Sequence, residues 1–150
     1  DEAMQELGVG LEELREIARG LHPAILTEQG LRRALDALAE RLPIAVAVEA
    51  PEERLPGPVE ATAYYIVSEA LTNVVKHSGA GAASVTVRID GDVLRCTISD
   101  DGRGGAAAVE GGGLVGLRDR AEAAGGTLTV VSPEGAGTVV TATLPLNTMD

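Results

Sequence analysis

Tryptophan and phenylalanine are both missing from this 150-residue chain, and Tyr64 and Tyr65 are its only aromatic residues. Any core must therefore be filled by Leu, Val, Ile and Ala. Cysteine is nearly absent as well. Cys96 stands alone, which excludes an intrachain disulfide and a cysteine-rich zinc site. No run of 18 apolar residues exists, and the opening Asp1-Glu2-Ala3-Met4-Gln5-Glu6 lacks the basic start of a signal peptide. The expectation is a cytoplasmic segment with no membrane contact of its own, with room for a membrane sensor elsewhere in a parent protein. Basic charge is also scarce. Twelve Lys and Arg face 23 Asp and Glu, for a net charge of -11, and that field argues against a general nucleic-acid binder or an anionic membrane surface. ATP is not excluded, because it needs only local cations or amide donors and brings Mg²⁺.

What remains is the composition of one soluble domain, 45% hydrophobic and 23% charged, with 19 glycines for demanding turns. A chain of this length buries roughly 70% of its unfolded surface, so a real core is expected. Leu7, Leu11, Leu14, Ala18 and Leu21 recur at steps of four and three and predict a helix over about 4–22 with one narrow apolar seam suited to another helix. Pro23 ends it. Thr27 followed by 28–42 reads as a second helix with Leu31, Leu35, Leu38 and Leu42 as its stripe. Residues 1–42 thus form a preface, and 43–150 the main domain.

In that domain 44–49 reads as a short strand, 51–58 as a linker with three prolines, and 59–77 as a long helix. Strands over 84–89 and 93–99 are joined through Asp90-Gly91, a pair suited to a tight hairpin. Cys96 shares its side of the second strand with Leu94 and Ile98, as a small buried hydrophobe does. A glycine- and alanine-rich connection over 100–113 leads to a helix over about 114–124. Two last strands, 128–131 and 138–144, flank a wide loop. The order is not the strict βαβ repetition of a dinucleotide fold. It predicts an α/β sandwich, a mixed sheet backed by helices.

Three segments carry candidate chemistry. On a helix, Glu69, Asn73 and His77 share a face with Lys76 beside it. An amide oxygen can ligate Mg²⁺, a lysine can meet a phosphate, and a carboxylate can orient a hydroxyl or water. The bland alternative is a solvated face whose Lys76-His77 end suits the helix dipole. Asp100-Asp101-Gly102-Arg103-Gly104-Gly105 follows a strand, where a fixed carboxylate can accept from an exocyclic amine and glycines admit a flat base or a phosphate. An ordinary acidic turn is the alternative. Gly111-Gly112-Gly113-Leu114-Val115-Gly116-Leu117 runs into a helix whose N–H groups can cradle phosphates, although it lacks the Gly-Lys-Ser/Thr ending of a P-loop. Here a flexible connector is the alternative.

Taken together, 69–77 resembles the N box of the GHKL superfamily, 100–104 its Asp-x-Gly-x-Gly box, 111–117 its second glycine box, and Gly135-Ala136-Gly137-Thr138 its late glycine-threonine element. Four such boxes in order cover about 59–145. The resemblance implies the two-layer GHKL (Bergerat) ATP-binding sandwich, with ATP and Mg²⁺ bound. It implies Asn73 as the Mg²⁺ ligand and Asp100 as acceptor for the adenine amine. Gly102, Gly104, Gly111, Gly113, Leu114, Gly116 and Leu117 become the nucleotide-binding and lid residues, and Thr138 part of the base-side network. Lys76 and His77 lie near the phosphates, and Glu69 is the acid/base or polarising residue.

The flanking 14–31 resembles the segment preceding the ATPase domain in histidine kinases of the nitrate-sensor and DesK-like group, the second helix of the dimerisation hairpin with its junction. That implies a homodimeric parent kinase, a phosphoacceptor histidine on a helix outside this segment, and a response regulator downstream. His22, followed by Pro23 at a helix end, reads as a junction residue rather than the phosphoacceptor, so the segment is not expected to autophosphorylate alone. An anti-sigma-type serine kinase or other GHKL ATPase and a non-catalytic nucleotide-binding or dimerisation module are the alternatives.

Overall fold

The computed structural model describes residues 24–104 and 113–147. The seam over 4–22, His22 and Gly111 lie outside these residues. In chain order the elements are α1 (Ala24–Gln29), α2 (Leu31–Arg41), β1 (Ala45–Glu49), α3 (Gly57–Asn73), β2 (Ala82–Asp90), β3 (Val93–Asp100), α4 (Gly113–Ala123), β4 (Thr127–Val131) and β5 (Thr138–Pro145). One five-stranded sheet has the order β1-β2-β3-β5-β4. The β1–β2 pair is parallel and the other three pairs are antiparallel, so the sheet is mixed, with helices packed on it. This is the α/β sandwich expected of the GHKL ATP-binding fold. No described helix is long and apolar enough to cross a membrane.

The strand periodicity sets the core. Val85, Ile98 and Val140 fall in one register row and Val87, Cys96, Ala142 and Leu128 in the next, and all seven are buried. With Phe and Trp missing, branched aliphatics and alanines fill the layer, and Cys96 is wholly buried among them. Gly91, at the tip of the β2–β3 hairpin, takes φ 65°, the left-handed geometry that only glycine adopts without penalty.

Helix α3 is the central strut. Pro58 suits its first turn, where a missing N–H costs nothing. Val59, Ala63, Tyr64, Ile66, Val67, Ala70 and Leu71 are buried around most of its circumference, as a helix lying between a sheet and other helices requires. Arg120 of α4 lies 4.1 Å from the centre of the Tyr65 ring, fastening α4 to α3.

Two expectations need correction. The helix read over 28–42 is broken at Gly30, whose φ of 94° takes the chain out of helical geometry, leaving α1 and α2 as separate pieces; Leu31, Leu35 and Leu38 are buried and Leu42 only partly. The helix read over 59–77 is α-helical only to Asn73. It continues as a π turn over Val74–Ser78 and stops at Gly79, φ 69°. The wider i→i+5 turn shifts Lys76 and His77 out of the phase that an unbroken α-helix gives them relative to Glu69 and Asn73.

Candidate functional site

Several elements terminate at one end of the sheet. β3 ends in Asp100, whose register partner is Thr138, the first residue of β5. The π turn after α3 closes on the segment following β3: the Arg103 N–H donates to the Ser78 carbonyl at 2.9 Å. Helix α4 is joined to β4 by a short turn through Gly125 and Gly126 and its end lies beside Leu144 and Pro145. Packed back along β4, it directs its N-terminus, Gly113 and Leu114, towards the Asp100–Thr138 end.

The Asp100 carboxylate is held in place. Its Oδ1 accepts from the Gly102 N–H at 2.8 Å, and among the described residues its second oxygen has no partner. Asp101, its neighbour, does structural work: its Oδ1 accepts from the N–H groups of Gly81 and Ala82 at 3.1 and 3.2 Å. Adjacent acids in one turn thus divide into a scaffold residue and one with an oxygen to spare.

Close packing explains the glycines of the turn. Ser78 occupies the place of a Gly102 side chain, and the Pro133 carbonyl that of Gly104, whose φ is 70°. The Asp100 carbonyl does the same at Gly137, φ 74°. The 132–137 loop is tied down by a 2.6 Å hydrogen bond from the Gly135 N–H to the Arg103 carbonyl. Thr138 is buried, and its hydroxyl lies 2.6 Å from that of Ser132. Ser78, Asp101, Ser132 and Gly137 thus shape the site without having been assigned roles from the sequence; Asp101 and Gly137 lay inside the resembling boxes, and Ser78 and Ser132 carried no such signal.

Glu69 and Asn73 are partly exposed, and Lys76 and His77 are exposed. None of these four side chains has a hydrogen-bond or ion-pair partner among the described residues, so they are open to a ligand. Lys76 and Arg103 supply local cations that the net charge conceals. Gly113 opens α4, Leu114 is partly buried, Gly116 is exposed and Leu117 lies in the core. Leu117 therefore holds α4 against the core rather than lining an open surface. No group of three or more His, Cys, Asp or Glu that would hold a metal occurs among the described residues. One free amide oxygen on Asn73 fits Mg²⁺, which keeps waters and phosphate oxygens as most of its ligands.

Known proteins agree with this architecture. Residues 59–148 match the family of histidine kinase-, DNA gyrase B-, and HSP90-like ATPases. The chain is 34% identical over 150 residues to the sensor histidine kinase YxjM of Bacillus subtilis, covering 95% of this chain and 37% of that protein. It is 35% identical over 155 residues to the sensor histidine kinase NarS of Mycobacterium tuberculosis, covering 96% and 36%. It thus spans little more than a third of these relatives. The blue-light activated histidine kinase EL346 of Erythrobacter litoralis superimposes with a TM-score of 0.74 at 25% identity, over 92% of this chain and 50% of that one.

Proposed function

Because the chain belongs to the family of histidine kinase-, DNA gyrase B-, and HSP90-like ATPases, we propose that it binds ATP with Mg²⁺ and transfers the γ-phosphoryl group to a histidine outside this segment, as the catalytic part of a two-component sensor kinase. Asp100 carries the reading. A carboxylate fixed through one oxygen by the Gly102 N–H offers the other to an exocyclic amine, a geometry suited to the adenine of ATP. Thr138, across the β3–β5 ladder from Asp100, supplies a hydroxyl to the same base edge.

Around that anchor the roles are those the family resemblance implies, and the chemistry of each residue is compatible with them. Asn73 contributes the protein ligand to Mg²⁺, which neutralises phosphate charge as the phosphoryl group moves. Lys76 and His77 meet the phosphates, and Glu69 polarises the incoming nucleophile. Gly102 and Gly104 shape the turn, while Gly111 and Gly113 with Leu114 and Gly116 form the lid and the helix start facing the phosphates. Residues 1–42 belong to a dimerisation hairpin and its junction, 43–150 to the catalytic domain. The parent is a homodimeric kinase of the nitrate-sensor and DesK-like group that passes its phosphoryl group to a response regulator.

Calorimetric titration of ATP tests this, with and without Mg²⁺. The wild-type chain should bind with an affinity that rises with Mg²⁺, and Asn73→Ala should lose that rise. A wild-type chain with no ATP affinity would defeat the reading. Magnesium-dependent binding without transfer to any histidine would favour the second reading, a non-catalytic nucleotide-binding module, which the open side chains of Glu69, Lys76 and His77 make less suitable.

A further inference from the structure

Far from Asp100, at the opposite end of α3, Glu60 is a carboxylate with 2% of its surface exposed. Burying a charge is costly unless it is paired and hydrogen-bonded, and Glu60 is both. Arg54 donates through Nε and Nη2 to its two oxygens at 3.2 and 3.0 Å, and the Leu55 N–H adds a third bond at 3.2 Å.

Arg54 does more than neutralise Glu60. Its Nη2 also donates to the Thr27 carbonyl at 3.1 Å, with a longer 3.5 Å approach to the Leu26 carbonyl. These carbonyls belong to α1, and that of Leu26 also accepts from the Gly30 N–H at 3.0 Å. Gly30 completes the fit: an ideal Cβ there would lie 2.9 Å from Arg54 Cδ, so the break between α1 and α2 leaves room for the guanidinium stem. α1 otherwise has a single buried side chain, Leu26, whereas α2 has four. It is the element that directly follows residues 1–23 in the chain.

We propose that Arg54 is a positioning residue for phosphoryl transfer, its planar fork locking α1, and with it the entering chain, onto the N-terminal end of the helix that carries Asn73. A planar guanidinium can bridge a carboxylate and a carbonyl at once, which an ammonium cannot do with the same geometry. About 20 Å of helix separates Glu60 from Asn73, so the lock holds α1 without touching nucleotide. The lock stands on the geometry alone; its consequence for transfer rests on the function proposed above.

Spin labels on cysteines placed at exposed Glu28 and Glu122 would report the position of α1 against α4, with Cys96 buried and left unlabelled. Arg54→Gln should broaden the distance distribution relative to the otherwise unchanged protein. In the parent kinase it should lower the transfer rate at saturating ATP by about tenfold or more, with the ATP KM within about twofold. Arg54→Lys, which keeps the charge and loses the fork, should move both readouts in the same direction and decides alone if Arg54→Gln does not fold. A distribution superimposable on wild type, or an altered distribution with unchanged transfer, would overturn the proposal. A wild-type kinase that neither binds nor uses ATP would instead defeat the functional reading, leaving the distance measurement to decide the lock.

Discussion

Ser78 occupies the space in which Gly102 would otherwise carry a side chain: an ideal Cβ at Gly102 would stand 2.5 Å from the Ser78 carbonyl oxygen and 2.6 Å from its Cβ. The turn after β3 and the π turn after α3 are thereby pressed together, and Asp100 and Asn73 are presented from one compact end of the sheet. Gly102→Ala should therefore destabilise the fold by about 1–3 kcal/mol through overpacking and weaken ATP binding in parallel. Urea unfolding and ATP titration of the same variant check both. Unchanged stability would mean that the contact gives way at no cost.

Asp100→Asn separates recognition from folding. The amide oxygen can still accept from the Gly102 N–H, but the spare oxygen becomes a donor facing the adenine amine. The expected result is a thermal midpoint close to wild type with ATP affinity reduced about tenfold or more, along with lost preference for ATP over GTP. Equal affinity and retained preference would remove Asp100 from base recognition.

Burial pushes the Cys96 thiol from 9.0 up to about 12. The folded state keeps its proton where the unfolded chain has lost it, so the stability linked to this group is complete below pH 9 and is lost progressively between 9 and 12. The loss at pH 10 relative to pH 8 should be about 1.4 kcal/mol. Urea unfolding of wild type and Cys96→Ala at both pH values isolates it, because the other titrating groups are common to both. An identical pH effect in the two proteins would contradict the assignment.

The strands were legible because their apolar alternation is strong, and the central helix because it is a long segment apolar on most sides. Leu94, Cys96 and Ile98 alternate into the core, and Val59 to Leu71 has no polar face wide enough for solvent. Proximity of the site residues was not legible in the same way. That Asp100 keeps one free oxygen while Asp101 caps Gly81 and Ala82 depends on the turn's path, and two adjacent acids look equivalent in a sequence.

The break at Gly30 went unseen for a related reason. A single glycine inside a helical pattern is tolerated at modest cost, and only the Arg54 side chain, 24 positions later, shows what the break accommodates. Glu60 carried no signal in the sequence, since burial of a charge shows only once its partner is in place. The π turn after Asn73 is likewise a local widening that the apolar pattern of Ile66, Ala70 and Val74 does not announce.

Phosphoryl transfer tests the central claim most directly. The parent protein, carrying the segment that precedes Asp1, would be incubated with γ-labelled ATP and Mg²⁺ beside the present 150-residue chain, and the label examined for acid lability. Acid-labile label should appear on the parent alone. It should fall about tenfold or more with Asp100→Asn at limiting ATP and vanish with replacement of a histidine on the preceding helix. Absence of label from the parent would contradict histidine-kinase chemistry; equal acid-labile label on the present chain, removed by His22→Gln, would contradict a phosphoacceptor outside it.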